Sequence, residues 1–190
     1  MSCNTIILAG IARDCEAVNA SVGVDKDLIL VNYDDFDRAA TLLVANREAD
    51  DLNNNIAGLT AIQLKSGAIQ YVFEGTDYSV IPSVTPEVKE DGDTWFIHSL
   101  AFTVYSKAAA DRKVLEDLAS SRVVAIAVDR STGLYEIFGI DQGLKITGLE
   151  RTYVGAQNSN FYTVTIATPD IAVVRESTLG ELAVSINTAV

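Results

Sequence analysis

The chain has 190 residues, 48% of them hydrophobic, and carries a formal net charge of −12. That apolar content excludes a disordered chain, and no apolar run approaches the ~20 residues that cross a bilayer as a helix. With 14 basic residues against 26 acidic ones, a tight grip on nucleic-acid phosphates is excluded as well, because it needs clustered Lys and Arg.

Prolines are few (Pro82, Pro86 and Pro169), and no stretch is rich in Ser, Gly or Pro. The expectation is one domain spanning residues 1–190, with residues 1–26 as an N-terminal arm and residues 75–93 as a flexible arm or an edge hairpin. The first apolar stretch, Thr5 to Ala12, lacks a preceding basic region and runs into Arg13, Asp14 and Glu16. That order is wrong for a signal peptide, so the chain is expected to be made and kept in the cytoplasm. In such a compartment Cys3 and Cys15 read as reduced thiols; a clip between them would require Cα atoms within about 7 Å.

In chain order, Leu28-Ile29-Leu30-Val31 predicts a short strand buried on both faces, over Asp27 to Asn32. Asp34 or Asp35 then caps a helix running to about Asn46, although the same residues also allow a strand. Leu59 to Leu64 alternates as a strand, Ser66-Gly67 makes a tight turn, and Ala68 to Glu74 follows with Ile69, Tyr71 and Phe73 on one side. Pro82 and Pro86 confine residues 75–93 to an edge or to a free arm. Thr94 to Tyr105 is the clearest strand. Lys107 to Ser121 is the clearest helix, with Val114, Leu115 and Leu118 turned inward. Arg122 to Asp129 and Leu134 to Ile140 form a hairpin about the Ser131-Thr132-Gly133 turn. Gly143 to Thr152 and Phe161 to Ala167 are two further strands, separated by a turn at Asn158-Ser159-Asn160. The cadence predicts a mainly β protein, an antiparallel β-sandwich or half-barrel, with one flanking helix and a long arm or hairpin.

Chemistry-bearing residues are sparse. His98 is the only histidine; it lies inside a strand, no G-x-S-x-G nucleophile accompanies it, and it reads as a hydrogen-bonded strand residue. The clusters Asp34-Asp35-Phe36-Asp37 and Glu90-Asp91-Gly92-Asp93 lack the alternate ligands and distal Glu of a calcium loop and read as solvated turns. Two cysteines and one distant histidine do not make a zinc site. Gly139, Gly143 and Gly148 are spaced as turn and strand glycines, without the helix that dinucleotide binding requires. Tyr71, Phe73, Trp95, Phe96, Phe102 and Tyr105 lack the basic neighbours of a base-stacking platform and read as core. No residue stands out as catalytic, cofactor-binding or metal-binding.

Four runs carry a resemblance: Arg122 to Asp129, Gly133 to Gly139, Gly143 to Thr147 and Asn160 to Ile166, with Arg13-Asp14-Cys15 and Val31-Asn32-Tyr33-Asp34-Asp35 adding to it. Together they resemble virion structural proteins of tailed bacteriophages and prophages, especially of Bacteroides-type hosts, and most of all tail tube subunits. The resemblance implies a non-enzymatic β-sandwich or half-barrel with one helix and a hairpin arm. It further implies a homo-oligomeric ring, six copies in the family, stacked into a tube in the virion tail. The implied partners are other copies, other tail proteins and double-stranded DNA that passes without specific binding, with no membrane and no cofactor. An acidic lining would repel DNA and let it slide. Neighbouring alternatives are a head–tail connector or a capsid-decorating protein; an Asp/Glu-dependent hydrolase is a more distant one. The apolar residues of the first 26 positions and of residues 75–93 are expected to contact adjacent subunits, and deletion of residues 75–93 is expected to block assembly while leaving the core folded.

Overall fold

In a computed structural model the described residues are 24–44, 59–88, 94–105, 108–130, 132–152, 161–169, 176, 178 and 180–189. Ten strands and two helices follow one another: β1 Val24–Asn32, a 3-10 turn Tyr33–Asp35, α1 Arg38–Val44, β2 Leu59–Leu64, β3 Gln70–Glu74, β4 Val80–Val88, β5 Thr94–Val104, α2 Ala109–Ser120, β6 Val123–Asp129, β7 Tyr135–Phe138, β8 Lys145–Thr152, β9 Phe161–Ala167 and β10 Glu181–Thr188. They form two sheets. One is six-stranded in the order β2-β10-β7-β6-β1-β3, and the other is four-stranded in the order β4-β5-β9-β8. The protein is thus mainly β and sandwich-like. Its pairings are antiparallel except β10 with β2, which run parallel.

The six-stranded sheet is strongly curled. Along its ladder Leu64 lines up with Thr188, near one end, whereas Gln70 lines up with Val31 at the other. Residues 65–69 join these positions, a link of at most ~20 Å. Flat, the outer strands would lie ~24 Å apart across the sheet and further apart along it. Curling closes that gap, and Phe36, just beyond β1, bridges Leu64 in antiparallel fashion. The concave side encloses a core of Val31, Phe36, Ile62, Leu64, Val124, Ile126, Ile137 and Ile140. The convex side carries Leu28, Leu30, Ala125 and Phe138 against Leu100, Phe102, Val164 and Ile166 of the second sheet and Leu115 and Leu118 of α2. β1 and β6 therefore bury both faces, which is why their sequences run apolar without alternation.

Several expectations change. β2 does not pair with β3; it lies at the opposite margin of the sheet, next to β10. Nor does β2 alternate cleanly, since Leu59, Ala61, Ile62 and Leu64 are all buried. The cap of α1 is Asp37, whose Oδ1 accepts the Ala40 N–H at 2.9 Å, and not Asp34 or Asp35. In α2, Leu115 and Leu118 are buried as expected, but Val114 is 45% exposed. Of the two readings of residues 75–93, residues 80–88 follow the edge hairpin: β4 pairs with β5 over nine residues from Val80↔Phe102 to Val88↔Thr94, and Val80 is buried in the core. Deleting residues 75–93 would therefore remove a strand and a core side chain along with any docking surface. The turn at Asn158-Ser159-Asn160, Cys3, Cys15 and the Glu90 to Asp93 cluster lie outside the described residues.

Candidate functional site

Two features stand out: a buried polar network where the two sheets meet, and a strand edge, unpaired among the described residues, beside a groove with aromatic walls. The network starts at His98, in the middle of β5 and fully buried. Its Nδ1 accepts the Gly139 N–H at 3.1 Å. Its Nε2 lies 2.7 Å from the Thr178 carbonyl oxygen. A carbonyl only accepts, so Nε2 carries the proton and the ring is neutral. Burial lowers the His98 pKa further below its ordinary value, against the opposing effect of the Thr178 carbonyl. The ring also packs edge-on against Phe138, with centroids 5.8 Å apart. Both ring nitrogens are thus committed to backbone, and His98 ties β5 to the turn after β7, as a hydrogen-bonded strand residue does.

Glu176 was not singled out by sequence reasoning, and it is the most perturbed group in the network. It is fully buried. Its backbone bridges Phe96, while its two carboxylate oxygens accept the consecutive N–H groups of Asp141 and Gln142, each at 2.9 Å. Burial raises its pKa to about 7, outweighing the pull of those two donors and of Arg38. Asp141 pairs with Arg38, whose Nε lies 2.9 Å from Oδ1, and its carbonyl accepts the Tyr33 hydroxyl at 2.7 Å. The Arg122 guanidinium stacks 5.5 Å from the centre of the Tyr33 ring. Gly143 lets these groups converge. Its φ is +66°, and an added Cβ would stand 2.6 Å from Arg122 Cγ and 2.8 Å from Tyr33 Cδ2. No sequence signal marks Glu176, because an acidic side chain is ordinarily solvated.

The network is a clamp. Its two titratable side chains of catalytic type, Glu176 and His98, spend their polar atoms on backbone groups in a region closed to solvent. In the Asp34 to Asp37 cluster two carboxylates serve local ties, while Asp34 is exposed and takes part through its backbone carbonyl. Asp35 accepts from Asn32 at 3.2 Å, Asp37 caps α1, and the Asp34 carbonyl accepts Lys65 Nζ at 2.6 Å. Among the described residues no three His, Cys, Asp or Glu side chains are grouped to hold a metal, and no helix is long and apolar enough to cross a membrane.

The second feature is a matter of the four sheet edges. β4 carries Pro82 and Pro86, two positions of the same parity, in a strand whose register with β5 runs without a shift. Prolines in the row facing β5 would break that ladder, so the missing donors fall on the outer row and blunt it. β8 is broken by a bulge between Ile146 and Gly148 and carries Lys145, Glu150 and Arg151. The β2 margin is covered: Phe36 bridges Leu64, the Asp37 N–H donates to the Gln63 carbonyl at 3.0 Å, and Gln63 N–H donates to Thr41 Oγ1 at 2.9 Å. β3, with the sequence Gln-Tyr-Val-Phe-Glu, has no proline, glycine or basic residue, and among the described residues nothing pairs with its outer side.

Large apolar side chains gather at that edge. Ile69 is 57% exposed, Val72 56% and Tyr71 42%. Between β3 and α2 lie two adjoining clefts of about 190 and 530 Å³ that share Tyr71, Phe73 and Val114 in their walls. Tyr105 extends the second, with Asp117 at the rim of the first and Glu74 and Asp111 at that of the second. Of the six aromatic residues first read as core, Phe102 is buried and Phe73 meets it edge-on at 5.5 Å, whereas Tyr71 and Tyr105 are exposed. No known family model, curated protein or solved structure matches the chain.

Proposed function

We propose that this chain is a non-enzymatic, self-assembling structural subunit, and within that class a tail tube protein of a tailed phage or prophage virion. One observation carries the assembly reading: among the described residues three of the four sheet margins are blunted or covered, and the fourth, β3, is unpaired on its outer side and flanked by a groove with aromatic walls. Natural sheets ordinarily blunt or cover their edges, so an open one is a site for pairing. The non-catalytic part is supported by His98 and Glu176, whose polar atoms serve as internal ties. The virion part rests on the resemblance carried by β6 to β9 and on the −12 charge, which suits a ring through which DNA passes without sticking. The ring is a homo-oligomer that stacks with further copies and with other tail proteins. Light scattering on the purified full chain tests the assembly reading. A mass several times the 20.4 kDa of one chain is expected, and a monomer at all concentrations would end the proposal.

A further inference from the structure

We infer that the β3 edge and its groove receive residues 5–11 of a neighbouring copy, so that each subunit donates one strand and accepts one. The inference rests on the assembly reading above and names its contact. The acceptor is short: Gln70 to Glu74 form the strand, and Ile69 extends its apolar row. A donor of about six residues covers it, and Thr-Ile-Ile-Leu-Ala-Gly-Ile at positions 5–11 has that length. This run lies outside the described residues and precedes β1 in the chain. It holds no charged residue, so its side chains can cover Tyr71, Phe73 and Val114 in the clefts without burying an unpaired charge.

Charge points the same way. The groove rim holds Glu74, Asp111 and Asp117. The first 12 residues contain no Asp or Glu in a chain with 26 of them, so they approach this rim without the repulsion most of this chain's surface would meet. Pairing with β3 satisfies the outer N–H and C=O row, while alternate donor side chains fall into the groove. The contact is heterologous: the donor run and the acceptor edge are different surfaces. Repeated from copy to copy it builds a closed ring or an open filament, which a two-fold pairing of β3 with itself would not.

The test uses full-length chains with one change each. Ile7→Asp spoils the donor, and Val72→Lys spoils the acceptor at a half-exposed position; Ile69→Lys is a second acceptor variant in case the first misfolds. Far-UV circular dichroism checks folding. Native mass is then measured for the parent, each variant alone, and an equimolar mixture of donor and acceptor variants. The expected result is an oligomer for the parent, monomers for each variant, and 1:1 dimers in the mixture, because one intact donor still meets one intact acceptor. A parent oligomer that survives all three changes would sink the donor-strand inference while leaving the assembly reading standing. A parent that is monomeric throughout would remove both. Variants that are monomeric alone and remain so when mixed would also overturn the exchange.

Discussion

Glu176 offers the sharpest energetic test of the fold. Its carboxyl group is fully buried, and its pKa in the folded chain is about 7 against an ordinary 4.5. The folded state therefore holds this proton more tightly than the unfolded chain does. The stabilisation tied to that proton is fully present below pH ~4.5 and is lost as pH rises through ~7. At ~1.4 kcal/mol per tenfold difference in proton affinity, the rise from 4.5 to about 7 amounts to at most ~3 kcal/mol. His98 acts with the opposite sign. Its pKa is lowered in the folded state, so its contribution is present above ~6.5 and is lost as pH falls. A single pH profile of the parent mixes the two slopes; comparison with Glu176→Gln separates them, because glutamine does not titrate. Its NH2 group cannot accept the second of the two backbone N–H groups, which lowers the variant's stability by an amount independent of pH. Urea unfolding of both proteins should be measured at steps from pH 4.5 to 8. The variant should be the less stable of the two near pH 4.5, where one backbone N–H has lost its acceptor, and should gain on the parent by up to ~3 kcal/mol between there and pH 8. A gap that stays constant, or a parent that gains on the variant as pH rises, would refute the reasoning. It would mean that the Asp141 and Gln142 N–H groups and Arg38 favour the carboxylate more than burial opposes it.

Two substitutions test the packing and the turn. Leu115→Ala removes a buried side chain from the convex core and should cost ~2–5 kcal/mol in urea unfolding, while Val114→Ala on the exposed side of the same helix should cost no more than ~0.5 kcal/mol; equal losses would show the helix rotated. Gly143→Ala forces a left-handed φ on a side chain that would collide with Arg122 and Tyr33, so a loss of at least ~1–3 kcal/mol is expected, and a neutral result would mean that the turn adopts another backbone conformation.

Much of the strand pattern was legible because β-branched runs are unambiguous where a strand is buried on both faces. Leu28 to Val31 and Val123 to Val128 are such runs, and so was the hairpin between β6 and β7, with its turn glycine. The Ser and Thr residues alternating with Val in β4 carried a true period of two, and its prolines correctly marked an edge. Pairing across long sequence distances was not legible. β10 joins β2 in parallel more than a hundred positions away, and the closure of the curled sheet depends on Phe36 meeting Leu64, which no local pattern encodes. The same curling buries both parities of β2 and erases its alternation. In α2 the spacing of Val114, Leu115 and Leu118 fits one inward stripe, but the groove leaves Val114 at its open mouth. Glu176 could not be found because burial of an acid depends on two backbone N–H groups supplied from about 35 positions away. That β3 is unpaired among the described residues is likewise a property of the sheet order and not of its own sequence.

The central claim is self-assembly into a tube, and negative-stain electron microscopy of the purified full-length chain tests it most directly. The expected images show rings with a central channel, alone or stacked into tubes of uniform width. A field of single small particles at every concentration, or closed dimers without a channel, would contradict it.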